Sequence, residues 1–193
     1  MARKIFIWVA HPKAGSFCAA LADSYQKGAE AQGAEIRRME LSEMRFDAHS
    51  ENYGYGAQDL DADLKTWQEN VLWADHLLIV HPCWWGAMPT TAKAVLDRAL
   101  TSGFAYKYHS RGMGWDKLLK GRSADALITA DTPTWLDTLI YRKTVRRVLR
   151  NQVLAFCGIK PRKILHFGSV KLADAAKINR WIGRAESLGR AAA

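Results

Sequence analysis

Four short apolar runs that do not alternate with polar residues restrict the fold of this chain more than anything else in it. They are residues 4–10 (KIFIWVA), 76–81 (HLLIVH), 124–130 (ADALITA) and 163–168 (KILHFG). Each has the length of a strand. Alternation would mark a strand with one wet face; a continuous run marks a strand covered on both faces, as in a parallel sheet. A fifth segment, 35–41 (EIRRMEL), sets Ile36, Met39 and Leu41 among charges and reads as a strand nearer the sheet edge.

Helical spacing fills the gaps between these runs. Ser16 is a good N-cap for a helix whose small and apolar residues recur at Phe17, Ala20, Leu21, Ser24 and Gly28, with Gly33 as its stop. Leu64, Trp67, Val71 and Ala74 share a face behind Asp61 or Asp63, and Ala92, Val95, Leu96 and Ala99 share another that Gly103 closes. A long helical pattern spans 136–156 and ends at Gly158 and Pro161, and a last helix spans 174–188 before a terminal RAAA expected to fray. Residues 45–60 are polar and turn-rich, so a loop is expected there. Strand and helix alternate five times, which predicts an α/β fold in one domain, residues 1–193. The expected architecture is a doubly wound five-stranded parallel sheet of order 2-1-3-4-5 with helices on both faces. Ligands in such sheets sit beyond the carboxyl ends of the strands, so loops 11–16, 81–89 and 130–135 meet at one edge.

Composition excludes several function classes. Cys18, Cys83 and Cys157 form no CxxC pair, which argues against a disulfide framework and against a cysteine-based zinc site, and the histidines show no metal spacing. The apolar run at 5–10 is too short for a signal-peptide core, and no stretch approaches the ~18 apolar residues of a membrane span. A cytoplasmic protein without membrane insertion is expected. A net charge of +9 invites an anionic partner. Arg142, Lys143, Arg146, Arg147 and Arg150 make a basic stripe, readable as a solvated helix face, a phosphate contact or an acidic-partner site. Without aromatic interleaving or a recognised module, nucleic acid is not expected.

Two loops carry candidate chemistry. The first, His11-Pro12-Lys13-Ala14-Gly15-Ser16-Phe17, joins a buried strand to a helix start, where free N–H groups and the helix dipole favour an anion. It is neither a GxxxxGK[ST] loop nor a GxGxxG fingerprint. Ser16 as a plain cap and His11 bonded to nearby backbone explain the same residues. The second loop, His81-Pro82-Cys83-Trp84-Trp85-Gly86-Ala87-Met88-Pro89, sets adjacent tryptophans between prolines, either to face a planar polar ring or to cover the sheet end.

Taken together, several segments resemble the NAD(P)H:quinone oxidoreductase family. They are His11, Ser16 and Phe17 after the first strand; Pro82-x-x-Trp85-x-x-x-Pro89; Lys93 and Asp97-Arg98; Gly103-Phe104-Ala105-Tyr106-x-Tyr108; and Phe156-Cys157-Gly158. The match runs in family order over nearly the whole chain. It implies a flavodoxin-like fold, a bound flavin, a homodimer with sites at the interface, and hydride transfer from NAD(P)H to quinone-like acceptors by a ping-pong mechanism. By the same resemblance, His11, Ser16, Phe17 and Cys18 would hold the flavin phosphate. Pro82, Cys83, Trp84, Trp85 and Gly86 would border the ring, as would Thr129, Ala130, Asp131 and Thr132, although that loop departs from the family's Thr-Thr-Gly-Gly pattern. Tyr106 and Tyr108 would reach the acceptor from the partner subunit. The long C-terminal extension of the larger animal members is absent, so FMN is expected, with FAD as the alternative. A second function the family implies is a regulatory or electron-relay flavoprotein docked on a membrane transport system.

Overall fold

The computed structural model describes residues 2–49 and 59–193; most of the loop expected at 45–60 lies outside the described residues. Five strands form one sheet: β1 (Lys4–Val9), β2 (Glu35–Glu40), β3 (His76–Pro82), β6 (Ser123–Thr129) and β7 (Lys160–Phe167). Their order is β2-β1-β3-β6-β7 and every neighbouring pair is parallel. This is the order 2-1-3-4-5 with a small hairpin, β4 (Tyr106–Tyr108) and β5 (Trp115–Lys117), inserted before the fourth sheet strand.

The missing alternation has a direct cause. Phe6, Trp8, Leu77, Ile79, Ala126 and Ile128 are buried toward α2 (Ala62–Trp73) and α3 (Thr90–Ala99). Their sequence neighbours Ile5, Ile7, Val9, Leu78, Val80 and Leu127 are buried on the opposite face, under α1 (Phe17–Glu30) and α7 (Ala175–Ala192). Both faces are dry, so apolar residues fill these positions and the polar ones fall near the strand ends. The helices α1 and α7 cross with their backbones in contact: a Cβ on Gly28 would lie 2.0 Å from the Glu186 carbonyl oxygen, and one on Gly189 would lie 1.9 Å from that of Tyr25. Only glycine fits at that crossing.

Four expectations change. Residues 136–156 are not one helix: α4 (Thr134–Leu139) ends, α5 (Thr144–Arg147) restarts, and a π-helical stretch (Val148–Leu154) leads into α6 (Ala155–Cys157). Arg142 and Lys143, both at positive φ, make the break, and Arg146 folds back onto the buried Asp137 carboxylate. Residues 104–115, which fall outside every strand and helix expected above, contain most of the hairpin. The last strand starts at Lys160 rather than 163 and holds Pro161, tolerated because β7 is an edge strand with a register shift beside it. The terminal RAAA does not fray; α7 runs to Ala192, which is fully buried.

Candidate functional site

The loops after β1, β3 and β6 converge at the carboxyl edge of the sheet. They enclose a cleft of about 190 Å³ lined by His11, Phe17 and Cys18, by Pro82, Cys83 and Trp84, and by Thr129, Ala130 and Asp131. Val170 closes it from the 3-10 turn Val170–Leu172 after β7. Nothing in the local sequence marks Val170. It arrives because Ser169 takes a left-handed backbone and the Val170 N–H donates to the Ala130 carbonyl. Ser16, Trp85, Gly86 and Thr132 border these loops without lining the cleft.

The start of α1 is built to meet an anion. Ser16 caps the helix, its Oγ accepting from the Ala19 N–H at 3.3 Å, which leaves the hydroxyl proton to donate elsewhere. Among the described residues, the N–H groups of Phe17 and Cys18 have no partner, as expected in a first helical turn. His11 Nδ1 accepts from the Lys13 N–H at 3.0 Å, so the neutral ring carries its proton on Nε2. Burial holds its pKa below the ordinary histidine value, with the Lys13 charge in the same direction. His11 is therefore a neutral donor at pH 7, packed edge-on against Trp84 at 5.5 Å. Cys18 Sγ lies 3.3 Å from Thr129 Oγ1 and ties α1 to β6, and burial pushes its thiol up to about 11. Cys83 is likewise raised by burial, so neither sulfur is a thiolate at neutral pH.

The tryptophan loop is a tight hairpin. Trp84 N–H donates to the Ala87 carbonyl at 2.8 Å and Ala87 N–H returns to the Trp84 carbonyl at 3.0 Å. Trp85 and Gly86 sit between them at φ 51° and 75°, the backbone of a type I′ turn. Glycine takes that conformation freely, whereas a tryptophan there is an outlier, and its ring stands fully exposed. The Cys83 N–H is committed to the Thr129 carbonyl at 2.7 Å, and the Gly86 N–H to the Cys83 thiol. Of residues 82–86, only Trp85 has an N–H with no partner among the described residues, fewer than a loop open along its length would offer.

Tyr106 and Tyr108 line a different space. A groove of about 1040 Å³ runs between α3, the hairpin and the π-helical stretch, lined by Tyr106, Tyr108, Trp115, Asn151, Gln152 and Phe156 among others. Tyr106 is 9% exposed and packs edge-on against Tyr108 and Phe156, each at 5.2 Å, while Tyr108 is 54% exposed. Trp115 stacks on Phe156 at 4.7 Å and donates its Nε1–H to the Phe156 carbonyl. Among the described residues, the groove and the cleft have no lining residue in common.

The comparisons with known proteins agree with this geometry. The flavodoxin-like fold family model matches residues 3–188. The chain is 28% identical over 172 residues to an uncharacterised NAD(P)H oxidoreductase of Haemophilus influenzae, covering 86% of this chain and 83% of that one. Among solved structures it resembles the NAD(P)H:quinone oxidoreductase of Methanothermobacter marburgensis, with a TM-score of 0.81, 24% identity and 98% of both chains covered. It also resembles an FMN-dependent NADH-azoreductase of Bacillus anthracis in complex with FMN, with a TM-score of 0.76, 18% identity, and 99% of this chain and 100% of that one covered. Strand order, loop convergence and the family match over residues 3–188 lead to one assignment: the chain belongs to the flavodoxin-like fold family.

Proposed function

We propose that this protein is a flavin-dependent oxidoreductase that passes a hydride from NAD(P)H to a quinone-like acceptor by a ping-pong mechanism. The observation that carries the reading is the cleft at the ends of β1, β3 and β6, with unpaired N–H donors on one wall and Trp84 on another. The oxidoreductase names of the relatives support it.

The residues present fit a phosphate-bearing flavin. The N–H groups of Phe17 and Cys18, the Ser16 hydroxyl and His11 Nε2 would hold the phosphate, and Trp84, Trp85 and Asp131 would border the ring. FMN is favoured over FAD, in keeping with the FMN-bound azoreductase of the same fold. When bound, the flavin supplies the two-electron chemistry, accepting a hydride from one substrate and releasing it to the next. The protein orients and shields. No thiolate is available as a nucleophile, and the backbone donor left at Trp85 can stabilise negative charge at the ring edge.

The size of the cleft bears on assembly. At about 190 Å³ it falls below the ~300 Å³ lower bound usual for small-molecule sites. A homodimer in which Tyr106 and Tyr108 of one subunit cap the cleft of the other would complete it. The three free thiols fit a reducing cytoplasm. The test is anaerobic. NAD(P)H should bleach the yellow protein without any acceptor, added quinone should restore the colour, and steady-state double-reciprocal plots should be parallel. A protein that NAD(P)H cannot bleach overturns the enzyme reading; intersecting plots overturn the shared pocket.

A further inference from the structure

The basic stripe has no part in the proposed reaction, and its surroundings are unusual. Residues 139–144 are all exposed, with Leu139 at 69%, Ile140 at 62% and Tyr141 at 53%. Large apolar side chains scattered singly on a surface need no explanation, but three in succession form a patch. Arg142 and Lys143 follow at once, at φ 50° and 57°, two consecutive non-glycine residues in the left-handed region that hold the turn outward. Arg147 follows Lys143 by four residues and Arg150 follows Arg147 by three, and both are exposed. Among the described residues, none of these four cations has an ion-pair or side-chain hydrogen-bond partner. The nearby Asp137 is buried and taken by Arg146.

A contiguous apolar tip bordered by unpaired cations matches a surface that is apolar below and anionic above. That is the profile of a bilayer rich in anionic lipid. The same patch of a second copy fits poorly, because a two-fold contact of the patch with itself would set like charges against each other. The homodimer proposed above meets through Tyr106 and Tyr108 instead. Nucleic acid fits poorly too, since Tyr141 is the single ring in the patch and Leu139 and Ile140 offer no face for a base to stack on. We propose that residues 139–150 seat this protein on an anionic lipid surface without crossing it, the apolar tip in the headgroup layer and the four cations against lipid phosphates. The segment lies one short helix, α4, beyond the loop that borders the cleft, so docking would bring the cleft close to a phase that dissolves apolar acceptors. The inference stands apart from the flavin reading, and its test uses no NAD(P)H.

The test is flotation of the chain, as purified, with vesicles of phosphatidylglycerol or of phosphatidylcholine. Binding is expected to phosphatidylglycerol alone and should weaken as salt is added. Arg147→Glu with Arg150→Glu should weaken it about tenfold or more. Leu139→Ser with Ile140→Ser should weaken it comparably at unchanged circular dichroism. Equal binding to both lipids, no binding to phosphatidylglycerol, or full binding by the charge-reversed variant would overturn the proposal. A serine variant that binds vesicles normally but sediments as a smaller species would assign the patch to a second copy and overturn it as well.

Discussion

The third strand carries a buried histidine near each end, and the two are built differently. His76, the first residue of β3, has both ring nitrogens engaged: Nε2 lies 2.9 Å from the Tyr25 hydroxyl and Nδ1 lies 2.7 Å from Ser123 Oγ. Around it Asp125 accepts from the Tyr25 hydroxyl and from the Lys163 N–H, each at 2.9 Å, and Arg3 donates to Ser123 at 3.0 Å. His81, the sixth residue, bonds only the Pro82 carbonyl through Nδ1, at 2.9 Å, and its Nε2 is buried without a partner among the described residues. The amino edge of the sheet thus closes its polar groups on one another. The carboxyl edge leaves N–H groups, ring nitrogens and left-handed residues unsatisfied. Unspent hydrogen-bonding capacity gathered at the edge where the loops converge is where a ligand can gain affinity.

The sharpest way to break this contrast is Asp125→Ala. Burial pushes the Asp125 carboxyl up, but His76, the Lys163 N–H and Tyr25 together hold it below the usual carboxylate range, so it is ionised in the fold. Removing it strands the Tyr25 hydroxyl, the Lys163 N–H and one face of His76. Loss of one partner from a buried, hydrogen-bonded charge cluster typically costs ~3–5 kcal/mol. Urea denaturation should show a loss of that size, with flavin affinity per folded molecule unchanged. A fall in affinity alongside stability would mean that the two edges are coupled.

His81 gives the second test, through pH. Burial lowers its pKa from 6.5 to about 4. The unfolded chain binds this proton once the pH falls below its ordinary value, whereas the folded chain refuses it until about 4, so stability is complete above ~7 and declines as the pH falls toward 4. At ~1.36 kcal/mol per pH unit, the gap amounts to about 3 kcal/mol. His76, His11 and His166 are also lowered by burial and act in the same direction. His81→Leu should flatten the decline measured by denaturation between pH 7 and 4. An unchanged slope would show that other groups carry it.

The same contrast separates what the sequence states from what it conceals. The sheet is legible because dryness on both faces forces apolar runs such as 4–10 and 76–81, and the Ser16 cap is legible because a serine before a helix has few other uses. The break at 140–143 is not legible, since Arg142 and Lys143 adopt a left-handed backbone that residue type does not announce; the ion pair from Arg146 to Asp137 accompanies it. Val170 is equally silent, being placed by a backbone bond to Ala130. The hairpin of β4 and β5 has three-residue strands, too short for periodicity to register. Nine of the residues singled out by motif and resemblance meet in one cleft because their loops follow β1, β3 and β6, which the strand order alone sets side by side.

At the open edge, Ser16→Asp should place a carboxylate where the unpaired N–H groups of Phe17 and Cys18 await an anion. An aspartate still caps the helix, so folding should hold while flavin affinity falls by ~1–3 kcal/mol through like-charge contact with the phosphate. Equilibrium titration of the deflavinated protein with FMN measures it. Full flavin occupancy in the purified variant would show that the phosphate lies elsewhere.

The smallest expected effect falls on the two tyrosines, and it decides which of them meets the acceptor. Tyr106 is enclosed by Tyr108 and Phe156, whereas Tyr108 stands half exposed at the rim of the large groove. If the rim of one subunit caps the cleft of the other, Tyr108 is the better placed to offer a hydroxyl to an acceptor carbonyl. Tyr108→Phe should then slow the quinone half-reaction by ~1 kcal/mol, about fivefold, which is the usual worth of one such hydrogen bond. Reduction by NAD(P)H, which needs no proton at that position, should proceed at the normal rate. Tyr106→Phe should alter both half-reactions little and should act instead on the packing of the hairpin against Phe156. Stopped-flow absorbance at the flavin band resolves the two half-reactions. Equal slowing of both by Tyr108→Phe would indicate a disturbed rim rather than a lost hydrogen bond, and slowing by Tyr106→Phe alone would move the acceptor contact from the exposed tyrosine to the buried one.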